Sequence, residues 1–363
     1  MSLWVDKYRP KKISELSLHK GVNRKLGALT KSEEFPHLLV YGPSGAGKKT
    51  RVVALLREIF GTGIEKVKLE HRTFKPNPSK TVEISTVASN FHIECNPSDV
   101  GNNDRFVIQE VIKEMASHGV LQSKDSSSSS SKSFKVVILT EVDRLSKQAQ
   151  AGLRRTMEKY STTTRLILMC NSPSKVIEPV RSRCLGIRIP APTHDELADL
   201  LVATAKKEQC NCDKDLATKV AISSERNMRR ALLMLEAMRV QCGNRHMTND
   251  VPVQLPDWSV YINQVAKVCL EDASPAGLLK VRDMLYSLLS NCIPPDVIIT
   301  HLARELIKAT DDAVKHEIAY WAAYYENRLH QGNKDIYHLE AFVAKFMAVN
   351  KRVMQELFAM MMA

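Results

Sequence analysis

One stretch constrains this chain more than any other. Gly42-Pro-Ser-Gly-Ala-Gly-Lys48-Lys49-Thr50 follows a short apolar, β-like run at 37–41 and opens a helical pattern through 51–59. Glycines at this spacing let the backbone turn tightly and aim successive N–H groups at phosphate oxygens, while the lysine supplies a point charge. With a strand before and a helix after, Gly42, Pro43, Ser44, Gly45, Ala46, Gly47, Lys48, Lys49 and Thr50 are expected to bind a nucleotide, ATP or ADP.

The loop departs from its pattern at one position. A Ser or Thr directly after Lys48 would ligate Mg²⁺ through its hydroxyl; here the residue is Lys49, and Thr50 comes one place later. One residue on a helix is a rotation of ~100°. Thr50 is thus the remaining hydroxyl candidate for the metal, in a different direction. A second departure lies at the end of the apolar run 136–139, where an acidic residue should support Mg²⁺ and a base or water-positioning residue should follow. The sequence has Thr140-Glu141-Val142-Asp143. Glu141 is kept as the candidate base, and Thr140 carries no charge. Two metal-related positions are altered while the phosphate-cradling glycines remain, which predicts nucleotide binding without efficient hydrolysis.

Around this loop, short apolar runs alternate with amphipathic stretches. Runs at 37–41, 91–95, 135–140, 165–170 and 185–189 are separated by helical patterns, as expected for a parallel sheet of five strands covered on both faces. Beyond Pro192 the strands stop. Helices are expected at 195–209, 213–221 and 228–240, then a polar, proline-bearing stretch at 243–256, then only helical patterns. The domain plan is therefore an α/β nucleotide-binding domain (1–190), a small helical domain (191–245) and a C-terminal helical domain (255–363). The SKDSSSSSSKS tract at 123–133 reads as a flexible surface insertion.

Several classes are set aside. The N-terminal MSLWVDKYRPKK lacks the apolar segment of a signal peptide, and no apolar run approaches the ~18–20 residues of a membrane helix. None of the eight cysteines forms a CxxC pair, so zinc is not expected. Charge is informative. Of 52 basic and 40 acidic side chains, 32 and 18 fall in residues 1–190 (net +14), leaving 20 and 22 in residues 191–363 (net −2). A basic first half suggests a polyanionic partner there.

Trp4-Val-Asp-Lys-Tyr-Arg-Pro10, the GKKT loop, TEVD at 140–143, LRRTMEKYS at 153–161 and Arg181-Ser-Arg183-Cys184, in that order, resemble the small subunits of eukaryotic replication factor C, the AAA+ clamp loader. The resemblance covers the whole chain except the serine tract. It implies an AAA+ domain, a lid and a C-terminal collar, in a nuclear hetero-pentamer with other replication factor C subunits. The complex would use ATP to load the sliding clamp, proliferating cell nuclear antigen, onto primer-template DNA during replication and repair, with no membrane partner. By the same resemblance, Val5, Tyr8, Arg9 and Pro10 close over the adenine, with Ser17 nearby in a Ser17-Leu18-His19 turn where the family has a Val-Gly-Asn-like one. Asn171 matches sensor 1. Arg229 matches sensor 2, preceded here by Arg226-Asn227 rather than Gly-Asp. Arg183 matches the arginine finger that serves a neighbouring subunit's nucleotide, and Arg105 sits where the family contacts DNA. The Met- and Leu-rich tail at 342–362 fits a collar helix. An alternative from the phosphate loop and Glu141 alone is an autonomous ATPase such as a helicase or remodeller.

Overall fold

In a computed structural model, the described residues are 3–31, 35–77, 80–117, 134–210, 212–242 and 252–362. The serine tract at 123–133 lies outside them, as does 243–251. The chain divides into two compact units, Met1–Val253 and Gln254–Ala363.

In chain order, the first unit runs α1 (Trp4–Lys7), α2 (Lys20–Lys31), β1 (Leu38–Tyr41), α3 (Lys48–Phe60), β2 (Lys68–Asn77), β3 (Lys80–Ala88) and β4 (His92–Cys95). It continues through α4 (Asp104–Ser117), β5 (Lys135–Leu139), α5 (Lys147–Lys159), β6 (Thr164–Cys170), α6 (Glu178–Arg181) and β7 (Leu185–Arg188), and then three helices, α7 (His194–Lys207), α8 (Lys214–Ser223) and α9 (Met228–Cys242). The sheet order is β2-β3-β4-β5-β6-β1-β7. The five strands expected from apolar runs are adjacent and parallel, β4-β5-β6-β1-β7.

The expectation of five strands is corrected to seven, because β2 and β3 form an antiparallel ribbon on the β4 edge. On β3 the buried Ile84, Thr86 and Ala88 alternate with Glu83, Ser85 and Val87; on β2 Glu70 and Arg72 stand opposite Thr86 and Ile84, on the same face as the buried Phe74, and Leu69 is exposed on the other. A ribbon buried on one side alternates apolar with polar residues and so never makes the continuous apolar run that marks a strand covered on both sides.

That two-sided cover is visible in β1. Leu39 packs with Ile108 and Leu153 on the α4/α5 face, while Leu38 and Val40 pack with Val52 and Leu55 on the α3 face. Each such buried side chain contributes about 1.5–3 kcal/mol relative to exposure. The change to an all-helical region is sharp for a local reason. After Pro192, Thr193 accepts from the Glu196 backbone N–H at 3.2 Å and its own N–H donates to Glu196 Oε2 at 2.9 Å, a capping box that starts α7.

The second unit holds α10 (Asp257–Glu271), α11 (Pro275–Ser290), α12 (Pro295–Ala309), α13 (Asp312–Gln331) and α14 (Asp335–Met362). Pro294-Pro295 marks the break between α11 and α12: Pro295 is the first residue of α12, where a missing N–H is harmless. Leu339, Phe342, Val343 and Phe346 on α14 recur at helical spacing and are buried with Leu302 and Leu306 of α12. No helix among the described residues is long and apolar enough to cross a membrane.

Candidate functional site

The phosphate loop joins β1 to α3 at the C-terminal edge of the parallel strands, where ligands of open α/β sheets bind. Two glycines there are required by geometry. Gly47 precedes α3 with φ 81° and ψ 30°, a left-handed conformation that costs an L-residue about 1–2 kcal/mol. Gly45, at φ 73°, lies so close to the lid that a Cβ would fall 1.9 Å from Asn227 Oδ1. The first turn of α3 then offers N–H groups with no helical acceptor.

Beside this loop is a cavity of about 510 Å³, lined by residues from several places in the first unit. Val5, Tyr8, Arg9 and Pro10 come from the N-terminal segment, and Ser17 from the turn before α2. Ser44, Gly45, Gly47, Lys48, Lys49 and Thr50 come from the loop. Glu141 follows β5, Asn171 follows β6, and Arg229 stands on α9. Fourteen of the residues expected at the nucleotide are therefore brought together. Gly42, Pro43 and Ala46 are not part of this lining: the Gly42 and Pro43 carbonyls accept from Lys48 Nζ at 2.7 and 3.0 Å, and Ala46 is buried. The lining includes apolar side chains that suit a base (Leu16, Leu18, Leu200, Ala203, Leu232) beside the loop residues, which suit phosphates.

Lys48 also donates to Asn171 Oδ1 at 2.7 Å, and its partial burial lowers its pKa below the usual lysine value. Asn171 is fixed from behind, because its backbone N–H and that of Ser172 both donate to Asp143 Oδ2, at 3.1 and 3.2 Å. Asp143, the last residue of TEVD, thus positions the turn that carries Asn171.

Several contributors escaped the sequence reading. Arg51 is 2% exposed on α3. Its guanidinium donates to the carbonyls of Ala46 (2.9 Å) and Gly47 (3.3 Å) in the loop, to that of Leu18 (3.2 Å), and to Asn23 Oδ1 (3.4 Å). Asn23, buried on α2, in turn donates to the carbonyls of Leu16 and Leu18. Together they tie the 16–18 turn to the loop's rear. The available signal was an arginine in the middle of an apolar helix face, beside Val52 and Leu55. Glu208, after α7, accepts from Lys7 Nζ (2.5 Å), Tyr8 Oη and Arg239 (3.0 Å), and these partners, Lys7 foremost, hold its carboxyl down to about 2. The N-terminal segment that lines the cavity is in this way fastened to α7 and α9.

The donor set at the metal half does not fit Mg²⁺, which is usually held by one or two carboxylates in addition to phosphates. Lys49 puts an ammonium in the hydroxyl position and pairs with Glu94 at 2.6 Å. The Thr140 hydroxyl donates to the Cys95 carbonyl at 3.3 Å. Glu141 has φ 52° and pairs with Arg144 at 3.3 Å. Thr50 adds one neutral oxygen. No cluster of three His, Cys, Asp or Glu side chains able to hold a metal occurs among the described residues.

Two expected functional residues lie away from the cavity. Arg183 follows α6 and is held by Glu158 of α5 (Nη2 to Oε1, 2.6 Å) and by the Pro179 carbonyl (2.7 Å). The Arg183 guanidinium keeps the Glu158 carboxyl below the usual range. Arg105 is exposed at the start of α4 and runs beside Gly152 of α5.

Three family profiles match successive parts of the chain: "DNA polymerase III, delta subunit" over residues 19–193, "RCF1/5-like, AAA+ ATPase lid domain" over 199–240, and "Replication factor C subunit 3, C-terminal domain" over 258–354. Among solved structures, the Thermotoga maritima RuvB Holliday junction branch migration motor superposes with a TM-score of 0.53 at 16% identity, over 85% of this chain and 97% of that one. That likeness shows the AAA+ fold. Replication factor C subunit 3 of Homo sapiens is 52% identical over 98% of both chains, and replication factor C subunit 5 of Neurospora crassa is 49% identical over 96% of this chain and 97% of that one. At that identity and coverage the chain belongs to the replication factor C subunit 3/5 family.

Proposed function

We propose that the chain is a subunit of a nuclear, hetero-pentameric clamp loader. The complex uses ATP to load the sliding clamp, proliferating cell nuclear antigen, onto primer-template DNA in replication and repair. In this subunit, residues 1–190 bind nucleotide, 191–245 act as the lid and 255–363 join the collar. The observation that carries the reading is a single cavity in which the phosphate cradle is whole and the metal half is not.

The chemistry follows from that cavity. Loop N–H groups, Lys48 and Arg229 take the phosphates of ATP or ADP, and Val5, Tyr8, Arg9, Pro10 and Ser17 close over the base. Asn171 reads the terminal phosphate through its link to Lys48. Glu141, which follows β5 and lines the cavity, is the candidate base, and its pairing with Arg144 leaves it poorly prepared to act. Hydrolysis at this site is therefore slow. Arg183 supports a role in trans. It is absent from its own cavity's lining, while Glu158 and Pro179 hold its fork in one orientation. From there it can stabilise charge developing on a phosphoryl group bound to a neighbouring subunit. Arg105, with the basic first half behind it, contacts the DNA backbone, so binding is indifferent to base sequence.

The test is to purify the complex through this subunit, identify the partner chains and the nucleotide it carries, and compare two variants. Arg183→Ala lowers DNA-stimulated ATPase far more than Lys48→Ala. The reverse order, or steady-state turnover by the isolated chain at ~1 s⁻¹, would favour an autonomous ATPase.

A further inference from the structure

Lys49 is the most unusual residue in the cavity. It occupies the helical position directly after Lys48, where a hydroxyl would face a metal ion, and its side chain instead carries a positive charge. That charge is directed. Nζ lies 2.6 Å from Glu94 Oε1, with the lysine side chain 46% exposed and the glutamate only 13%. Glu94 is on β4, on the sheet face that α3 covers, and it pairs in register with Ile138 of β5. Thr140, the residue that replaces the metal-supporting acid, is two residues beyond Ile138 and therefore on the same face. The ammonium is thus stretched from the phosphate loop across toward the ground that a divalent ion and its carboxylate would share.

Each nearby carboxylate has a partner through at least one oxygen. Glu94 is paired with Lys49, Glu141 with Arg144, and Asp143 holds the two backbone N–H groups of the Asn171 turn. A divalent ion entering here would meet a fixed like charge beside Asp143, whose Oδ2 is engaged by the Asn171 turn and whose Oδ1 is buried without a hydrogen-bond partner. An ammonium has three N–H donors; one satisfies Glu94, and the others can turn to phosphate oxygens.

We propose that Lys49, anchored by Glu94, stands in for the magnesium ion, so that this subunit binds a nucleoside di- or triphosphate as the metal-free anion. The inference rests on the nucleotide-binding reading of the cavity and deepens it. It gives slow hydrolysis a positive cause: the site supplies a tethered monovalent cation that can neutralise bound phosphate but cannot polarise it as a divalent ion does. The nucleotide then serves as a lasting ligand that holds the lid against the loop.

The test uses the full-length chain and a fluorescent ADP analogue carrying an N-methylanthraniloyl group, titrated in excess Mg²⁺ and in excess EDTA. The expected result is a Kd in EDTA equal to, or tighter than, that in Mg²⁺. With ADP bound and Mn²⁺ replacing Mg²⁺, no protein-bound manganese signal should appear in electron paramagnetic resonance. Lys49→Thr combined with Thr140→Asp should reverse both readouts, weakening binding in EDTA by at least about tenfold relative to Mg²⁺ and producing the manganese signal. Wild-type binding about tenfold or more tighter in Mg²⁺, or a stoichiometric manganese signal on the wild type, would overturn the proposal. These wild-type measurements decide it even if the double variant does not fold. Absence of binding in both buffers would overturn the nucleotide-binding reading itself.

Discussion

The two halves of the cavity have been treated differently by the sequence. At the loop end every element of phosphate recognition is present and reinforced: left-handed glycines, a helix N-terminus, Lys48 bridged to Asn171, and Arg51 bracing the loop from behind. At the metal end, a few ångströms of chain away, an ammonium and a neutral hydroxyl stand where a hydroxyl and a carboxylate would be. The contrast separates two tasks that a phosphate loop usually performs together. Holding a polyphosphate needs oriented N–H groups and positive charge, whereas cleaving it needs a metal, a base and a placed water. A subunit can keep the first and lose the second if cleavage is completed elsewhere, and the distant Arg183 is the residue through which it would contribute there.

The contrast can be broken first at Arg183. Arg183→Ala should reduce turnover at the neighbouring site by a factor on the order of 10³, read as DNA-stimulated ATPase of the assembled complex. Lys48→Ala should strip nucleotide from this subunit with a much smaller fall in turnover. Equal losses would mean that the metal half is more competent than its residues suggest.

Arg51 tests how far the cradle depends on its brace. Arg51→Ala removes the side-chain donor from the Ala46 carbonyl and from Asn23 Oδ1, while the Gly47 carbonyl keeps the backbone N–H of residue 51 and the Leu18 carbonyl keeps Asn23. At about 1–3 kcal/mol per orphaned group, chemical denaturation should report that loss together with weaker nucleotide binding. Arg51→Lys should rescue little, because one ammonium cannot span the four acceptors that the guanidinium fork reaches.

A smaller effect is expected at Gly45. Gly45→Ala combines left-handed strain of about 1–2 kcal/mol with a contact against Asn227. Nucleotide affinity should therefore fall as the lid is displaced, while the melting temperature of the nucleotide-free chain changes less.

The smallest concerns Glu208. Its partners hold its carboxyl at about 2 against an ordinary 4.5. A depressed carboxylate stabilises the fold fully above its unfolded pKa and loses that contribution as pH falls through the folded value. Stability measured by urea unfolding should therefore carry a Glu208-dependent slope between about pH 4.5 and 2 that Glu208→Gln abolishes. An unchanged slope would mean that other contacts, such as the Trp4 backbone N–H donating to Glu236 Oε2 at 3.1 Å and the Arg239 guanidinium over the Trp4 ring, hold the N-terminal segment without help from the Glu208 charge.

Much of the site was legible because its signals are local. Gly42 to Lys48 declare their backbone geometry within a few residues, and the apolar runs around them name the parallel strands. Of the two strands that went unread, β3 alternates polar with apolar residues and β2 is mostly polar, a pattern that only their pairing and the α4 cover make meaningful. Arg51 was hidden for the opposite reason. A charged side chain in a helix reads as solvated until the carbonyls of Leu18, Ala46 and Gly47 are found around it. The Glu158 hold on Arg183 and the Glu208 hold on Tyr8 span 25 and 200 residues, and no local pattern announces either.

By itself, then, the sequence determined the phosphate loop, the substitution of its metal partners and the alternation that makes an α/β domain followed by helices. Each of these is set by backbone freedom, side-chain charge or periodicity within a short window. Only the tertiary structure decided what those residues do to one another: that Lys49 faces Glu94, that Asp143 fixes Asn171, that Arg51 braces the loop and that the N-terminal segment belongs with the lid. Such pairings depend on which strands lie side by side and which faces are buried. Those are fixed by packing of the whole unit, and distance along the chain says nothing about them.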